Sequence, residues 1–152
     1  MEFPLKPKLV AKKLHPDAKI PTRNTETDAG LDFSAIEDVT LYPVGHRDCP
    51  TRAKIRTGIA MAVPVGYGLF IWDRSGLSTK QGLHRLAGVI DSSFRGEILV
   101  ALVNLGSEPY TINVGDKIAQ GILAPVALST VEEVDELDET ARGAKGFGSS
   151  GR

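Results

Sequence analysis

The chain is divided into short hydrophobic stretches, several of which alternate apolar and polar residues or are rich in β-branched residues. A period of two is typical of half-buried strands, because successive side chains of a strand point to opposite faces of a sheet. The pattern predicts strands over residues 9–14, 32–36, 54–63, 69–72, 97–104, 117–123 and 130–134. Turn signals separate these stretches, among them Pro43-Val44-Gly45 and Val114-Gly115-Asp116.

Short strands at this spacing favour an antiparallel sandwich or barrel such as a jelly roll. Long amphipathic helices are absent from the pattern: residues 77–82 have room for one or two helical turns, and the acidic segment 132–140 fits a strand or a helix. Val89 and Ile90, followed by residues 96–104, predict a β-hairpin with its loop at 91–95. We therefore expect one all-β core domain with little helix over residues 1–141.

Residues 142–152 differ from this core, because they combine glycine, serine and basic residues with one aromatic residue, Phe147. Such a segment has too little apolar surface to offset its ordering entropy, so we expect a mobile C-terminal arm. Glycine N–H groups, serine hydroxyls and an arginine fork also suit a nucleoside phosphate, and an aromatic ring can stack on a base. The composition alone is compatible with a frayed terminus or a ligand-binding arm.

Length and charge limit the possible classes of protein. A chain of 152 residues fits one domain, and a formal net charge of −1 with interspersed signs argues against a broad nucleic-acid surface. No run approaches the roughly 20 apolar residues of a membrane span, and residues 1–7 lack a signal-peptide core. The single Cys49 excludes an intrachain disulfide and a cysteine-based zinc site. We expect a cytoplasmic protein that binds neither membranes nor nucleic acid.

Two segments of the first half combine turn residues with chemically active side chains. Asp28-Ala29-Gly30 leads to Asp32, which is either part of a turn entering a strand or a carboxylate for a basic partner or a metal's water shell. Arg74-Ser75-Gly76 places a guanidinium, a hydroxyl and a glycine N–H together after an apolar run. It predicts an anion site if a helix begins at Ser75, and otherwise an N-cap serine beside a surface arginine.

Two further segments lie in the second half of the chain. Asp91 ends Gly88-Val89-Ile90-Asp91 and is either an ordinary loop residue or a general base, with Phe94 as a ring available to stack. Gln120, which follows Gly115-Asp116, is either a buried amide or a ligand contact. The histidines lack partners at metal-ligand spacing, no Ser-His-Asp order is visible, and the tail is not a Walker A loop.

In this order, the four segments and the tail closely resemble the five motifs of the trimeric dUTP diphosphatases (dUTPases), from about Asp28 to the C-terminus. The resemblance implies a jelly-roll protomer in a homotrimer, with active sites at subunit interfaces and an arm that closes over bound nucleotide. It implies Mg²⁺-dependent hydrolysis of dUTP to dUMP and pyrophosphate. That reaction would limit uracil incorporation into DNA and supply dUMP for thymidylate synthesis.

The resemblance also implies roles for single residues. Asp91 would activate the water that attacks the α-phosphate in line, and Asp32 would contact Mg²⁺ through water. The other expected substrate-binding residues fall into four groups. They are Arg74, Ser75, Gly76 and Gln120 for the phosphates; Gly88, Val89, Ile90 and Leu99 for uracil; Phe94 for the deoxyribose; and Arg142, Phe147, Gly148, Ser149 and Ser150 in the arm that closes over the nucleotide.

Phe94 and Asp73 are the main departures from the family pattern. Phe94 stands where tyrosine is usual, and its ring still leaves no room for a 2′-hydroxyl. Asp73 stands where proline is usual, which adds a negative charge near the phosphate site; Ser150 in place of a frequent threonine keeps the hydroxyl.

Other functional classes fit less well. A dCTP deaminase shares the fold but needs a glutamate in place of Asp91 and a second arginine within residues 77–82. A dUTP-binding regulator acting through a protein partner is a second alternative, with residues 44–52 as the candidate loop. A structural trimer without ligand is a third, and the intact tail argues against it.

Overall fold

The computed structural model describes residues 7–141 and 143–144. These residues are mostly β-strand with one short helix, which confirms the all-β prediction. The predicted contacts of Arg142, Phe147, Gly148, Ser149 and Ser150 lie outside the described residues. Within the described part of the chain, no helix has the length and apolar character needed to cross a membrane.

The regular elements of the described residues are mostly short strands. In chain order they are β1 (Val10–Lys13), β2 (Leu31–Ser34), β3 (Val39–Leu41), β4 (Arg52–Ala62), β5 (Tyr67–Trp72), α1 (Ser75–Gln81), β6 (Leu83–Arg85), β7 (Val89–Ile90), β8 (Glu97–Asn104), β9 (Tyr110–Ile112) and β10 (Lys117–Pro125).

Two four-stranded antiparallel sheets enclose the hydrophobic core. One has the order β1-β4-β8-β6 and the other β2-β10-β5-β7, while β3 and β9 form a separate pair. Alternation fixes the inner face of each strand: in β8 the side chains of Ile98, Val100 and Leu102 are buried, and Leu99 between them is 40% exposed. Phe33 and Leu69 fill the core from the second sheet.

The predicted strands 9–14, 32–36, 54–63, 69–72, 97–104 and 117–123 are confirmed as β1, β2, β4, β5, β8 and β10. The prediction of a strand at 130–134 is wrong, and residues 132–140 form neither strand nor helix. Three strands of three residues each, β3, β6 and β9, were not predicted. Three residues are too few to show a period of two.

The predicted hairpin between β7 and β8 is also wrong. β7 pairs with β5, whereas β8 pairs with β4 and β6 in the other sheet. Residues 91–96 therefore cross from one sheet to the other. The chain reaches β7 through Ala87 and Gly88, whose φ values are 61° and 126°. A Cβ at Gly88 would lie 2.9 Å from the carbonyl oxygen of Ile71, so glycine is needed for this approach.

The short helix α1 overlaps the predicted helical region 77–82 but begins two residues earlier, and it joins the two sheets between β5 and β6. It ends at Gly82, which has a φ of 73° and donates its N–H to Ser78. A side chain at Gly82 would collide with the backbone of Gly106. The connection is therefore fixed at its far end, and its near end carries Arg74.

Candidate functional site

A cavity of about 530 Å³ opens where β2, β10 and the first turn of α1 meet. It brings together Asp32, the carboxylate expected to contact Mg²⁺ through water, and the residues expected to bind phosphates: Arg74, Ser75, Gly76 and Gln120. The loop before β2 forms another wall of the cavity, and the sequence had predicted no ligand contacts for its residues: Asn24, Asp28, Ala29 and Gly30.

Strand pairing sets the two polar residues at the floor of the cavity. Gln120 of β10 lies directly opposite Asp32 of β2 and Trp72 of β5. A register shift between Lys117 and Ala119 pairs Lys117 with Ser34. Ile118 and Ala119 are consecutive and both buried, which breaks the usual alternation of a strand. This bulge places Lys117 on the same face of the sheet as Asp32.

Asp32 is neutralised on both oxygens. Its Oδ1 lies 3.2 Å from Nε of Arg74 and its Oδ2 lies 2.8 Å from Nζ of Lys117, with the carboxylate side chain 14% exposed. Nη1 of Arg74 also donates to the carbonyl oxygen of Lys117 at 3.2 Å. Two cations therefore contact one carboxylate, and their N–H groups can donate to the oxygens of an anionic ligand. Lys117 was missed because its pairing with Asp32 depends on the bulge.

The helix begins at Ser75, as the anion-site hypothesis requires, and the alternative of an N-cap serine is wrong because Arg74 is the N-cap. Arg74 has extended backbone angles and no side chain caps the first turn, which also contains no acidic residue. The first N–H groups of a helix have no intrahelical acceptor. A Cβ at Gly76 would have no protein atom within 4 Å, so the space beside this cavity-lining residue is open.

The amide of Gln120 is held in a fixed orientation. Its Nε2 donates to the carbonyl oxygen of Asp73 at 2.8 Å, which leaves Oε1 towards the loop. A side chain on Gly30 would collide with that amide oxygen. Gly30 is therefore required for the position of Gln120, which explains in physical terms why glycine stands in this turn.

The loop beside the cavity is ordered around Asp28. The Thr25 hydroxyl donates to its carboxylate at 2.6 Å, the Thr25 N–H donates at 3.1 Å, and Arg23 donates to its backbone carbonyl at 2.7 Å. These hydrogen bonds, chiefly that of the Thr25 hydroxyl, lower the pKa of Asp28 below its ordinary value. Asp28 adds a negative charge to the wall of the cavity. The sequence indicated only a turn at this position.

The carboxylate of Asp73 does not add its charge to the cavity, contrary to the expectation from its place beside Arg74. It points towards β6, where its Oδ2 lies 2.7 Å from Nδ1 of His84. Its Oδ1 accepts a hydrogen bond from the backbone N–H of Arg85 at 2.8 Å. Only its backbone carbonyl, which accepts from Gln120, contacts a residue of the cavity wall.

The residues expected to bind uracil and activate water lie elsewhere in the protomer. β5 runs towards Arg74, and its partner β7 pairs Val89 with Phe70 and Ile90 with Leu69, so Asp91 follows at the opposite end of β5. At roughly 3.3 Å per residue, that separation is on the order of 20 Å along the strand. Within the described residues of one chain, the predicted site therefore forms two separate groups.

The second group is exposed. Asp91 is exposed, and Phe94 and Leu99 are 39% and 40% exposed. The Phe94 ring lies against Gly96, where a Cβ would be 2.8 Å from it. Arg95 braces this turn by donating from Nη1 to the carbonyl oxygens of Ser92 and Phe94, both at 2.7 Å.

Comparisons with known proteins identify the family of the chain. The dUTPase family model matches residues 16–151. The deoxyuridine 5'-triphosphate nucleotidohydrolase of Wolinella succinogenes is 46% identical over 142 residues, covering 92% of this chain and 91% of its own. The protein of the same name from Paramecium bursaria Chlorella virus 1 is 45% identical over 143 residues, covering 94% and 97%.

Solved structures show the same fold. The dUTPase of Staphylococcus bacteriophage 80alpha with dUpNHpp has a TM-score of 0.85 and 30% identity, covering 95% of this chain and 99% of its own. A variant dUTPase of phage phi11 of S. aureus has a TM-score of 0.78 and 28% identity over 87% of this chain and 99% of its own. The latter structure describes the coordination of a structural Mg(II) ion.

Proposed function

The chain belongs to the dUTPase family, and on this basis we propose that it hydrolyses dUTP to dUMP and pyrophosphate. The observation that carries the proposal is the cavity lined by Arg74, Ser75 and Gly76, in which Arg74 pairs with Asp32 at the first turn of α1. Such a site suits a polyphosphate, since it combines a guanidinium fork with unpaired helix N–H groups.

The phosphate group of residues would act by binding and orientation. Arg74 would exchange its contact with Asp32 for phosphate oxygens, and Lys117 would continue to neutralise Asp32. Ser75 and Gly76 would donate from the hydroxyl and the backbone, while Gln120 would orient phosphates or their bound water. Phosphoryl transfer depends mainly on positioning and charge stabilisation, so these contacts suffice for a large part of catalysis.

Asp91 would be the general base of the reaction. It would take a proton from a water molecule that attacks the α-phosphorus in line, and pyrophosphate would leave on the opposite side. Gly88, Val89, Ile90 and Leu99 would bind uracil through the backbone. The Phe94 ring would pack against the deoxyribose and exclude a 2′-hydroxyl.

Magnesium would enter with the triphosphate. The described residues contain no group of three acidic, histidine or cysteine side chains that could hold a metal ion. Mg²⁺ keeps several waters and is often bound by one carboxylate plus substrate phosphates, which fits the single partly buried Asp32 of the cavity floor. A bound Mg²⁺ would supply charge neutralisation for the phosphates, and Asp32 would contact it through water.

A homotrimer would bring the two groups of residues together. In one chain Arg74 and Asp91 lie at opposite ends of β5, so a site that uses both residues would be completed by a second copy. The segment after β10 supports association, because Val131 and Leu137 are 96% and 86% exposed. Residues 1–141 would then form the core of the protomer, and the arm 142–152 would close over nucleotide.

The proposed reaction defines the cellular role. Removal of dUTP would limit uracil incorporation into DNA, and the product would feed thymidylate synthesis, in keeping with a cytoplasmic enzyme. A deaminase is disfavoured because α1 lacks the second arginine and Asp91 replaces the required glutamate. Measurement of dUTP turnover distinguishes the enzyme from a purely regulatory dUTP-binding protein.

Release of pyrophosphate from dUTP, dTTP, dCTP and UTP, with and without Mg²⁺, tests the proposal. We expect turnover of dUTP alone, and a metal requirement. Asp91→Asn should bind dUTP but lose about 10²–10⁴-fold in kcat. A near-normal kcat in that variant would remove Asp91 from the mechanism, and wild-type protein that binds dUTP without hydrolysing it would favour the regulatory alternative.

A further inference from the structure

The connection between β5 and β6 contains the Arg-Ser-Gly triplet. The side chain of Asp73 links the two ends of this connection by hydrogen bonds. The connection leaves one four-stranded sheet after Trp72, forms α1 and enters the other sheet at Leu83. Asp73 is its first residue, and the partners of the Asp73 carboxylate, His84 and Arg85, follow its last residue. The two sheets are thus fastened together where the phosphate-site residues begin.

Several contacts make this fastening firm. The Asp73 carboxylate lies 2.7 Å from Nδ1 of His84, accepts from the Arg85 N–H at 2.8 Å, and has a longer contact of 3.5 Å with the Ser78 hydroxyl. Its side chain is 21% exposed, so water competes only weakly for these bonds. Beside them, the Arg85 guanidinium lies 4.5 Å from the centre of the Trp72 ring.

The backbone of Asp73 connects this fastening to the cavity. Its carbonyl oxygen accepts the hydrogen bond that orients Gln120, and the next residue, Arg74, forms the ion pair with Asp32. A shift of Asp73 would therefore move two groups of the phosphate site together. The carboxylate itself does not line the cavity and makes no contact there.

We propose that Asp73 is a positioning residue for phosphate binding, held by His84 and the N–H of Arg85. This inference rests on the proposed function, because it assigns Asp73 to the site that binds the triphosphate. It also assigns a purpose to an aspartate at a position where proline is usual in the resembling family. The carboxylate holds by hydrogen bonds a backbone turn that proline would restrict covalently.

The test compares ligands with and without phosphates. Binding of dUpNHpp by calorimetry and of deoxyuridine by NMR would be measured for wild type, Asp73→Ala and Asp73→Asn. We expect Asp73→Ala to weaken dUpNHpp binding by about 10- to 100-fold, and to raise KM for dUTP more than it lowers kcat. Deoxyuridine should bind equally well to wild type and to Asp73→Ala. Asp73→Asn should recover part of the loss, because its amide oxygen still accepts from Arg85.

Asp38→Ala is the matched control, because the Asp38 carboxylate also accepts a backbone N–H, that of Val114 at 2.8 Å, but does not line the cavity. The inference is overturned if Asp73→Ala binds dUpNHpp as wild type does, or if deoxyuridine or the Asp38 control loses as much. If Asp73→Ala does not fold, His84→Ala decides, and wild-type affinity in that variant overturns the inference. Wild-type protein that binds no dUpNHpp would instead contradict the proposed function itself.

Discussion

At the scale of single residues, the two ion pairs of Asp32 explain how a carboxylate can lie in a proposed phosphate site without repelling the phosphates. Each carboxylate oxygen faces one cation, Arg74 or Lys117, so the unliganded cavity carries no uncompensated acid at its floor. A triphosphate that takes Arg74 leaves Lys117 in place, which limits repulsion between Asp32 and the phosphates. The same exchange leaves a lone pair of Asp32 free for water.

At Gly76, which lines the cavity, the space that a side chain would occupy is empty. Alanine is the better helix former by about 0.5–1 kcal/mol, so Gly76→Ala should keep or slightly raise Tm. Because its methyl group would stand in the open space beside the cavity, KM for dUTP should rise several-fold. Melting curves and steady-state kinetics check this, with Gln81→Ala at the other end of α1 as control. A lower Tm with unchanged KM would contradict it.

Thr25 controls the protonation of Asp28. Its hydroxyl is the largest cause of the lowered pKa, so Thr25→Val should raise the Asp28 pKa towards its ordinary value of 3.8. Since the folded pKa lies below the unfolded one, the interaction stabilises the loop fully above the unfolded value and is lost as pH falls through the folded value. A carboxyl-detected NMR titration measures the shift. Thr27→Val, which removes a neighbouring hydroxyl that contacts only Thr25, should leave the titration unchanged.

Phe94 should select the sugar by shape. Its ring lies on Gly96 and is 39% exposed, so it offers a flat surface rather than a hydrogen bond. Phe94→Tyr should stay active, whereas Phe94→Ala should raise kcat/KM for UTP relative to dUTP by the equivalent of roughly 1–3 kcal/mol. Both constants would be measured for wild type and the two variants. Unchanged discrimination in the alanine variant would show that Phe94 does not face the sugar.

At the scale of elements, the sequence predicts strands wherever alternation is long enough. β4, β8 and β10 contain eight or more residues and were found, whereas the three-residue β3, β6 and β9 were not. Alternation identifies a buried face but not a partner strand, so β7 was paired with β8 in error. Residues 130–134 have β-branched side chains but no pairing strand within the described chain. The bulge that exposes Lys117 depends on tertiary packing.

The arm 142–152 should contribute to activity and not to folding. Its composition offers little apolar surface for a core, so deletion should leave Tm and the oligomeric state unchanged. Loss of its glycine N–H groups, serine hydroxyls and Phe147 should remove most dUTP turnover. Calorimetry, light scattering and pyrophosphate release on the truncated chain test this. A large fall in Tm would show that the arm is part of the folded core.

At the scale of the whole molecule, one protomer holds the proposed site residues in two separate groups. The cavity at the end of β5 contains Arg74 and Gln120, and Asp91 follows the strand that pairs near the other end. The motifs identify these residues from the sequence, because each is a fixed combination of residue types. The distance between them follows from strand pairing, which the sequence pattern mispredicted for β7. The resemblance implies sites at subunit interfaces, and the structure shows where a single chain places the two groups.

If active sites combine residues of different copies, inactive variants should complement each other. Arg74→Ala and Asp91→Ala chains should each be inactive alone, and mixed trimers formed by subunit exchange should regain part of the activity, because some interfaces then hold both native residues. The control mixes Asp91→Ala with the double variant Arg74→Ala/Asp91→Ala, in which no site has Asp91, and should stay inactive. Exchange would be verified by native mass spectrometry. Mixed oligomers without recovered turnover would place Arg74 and Asp91 of each site in one chain, against their separation along β5.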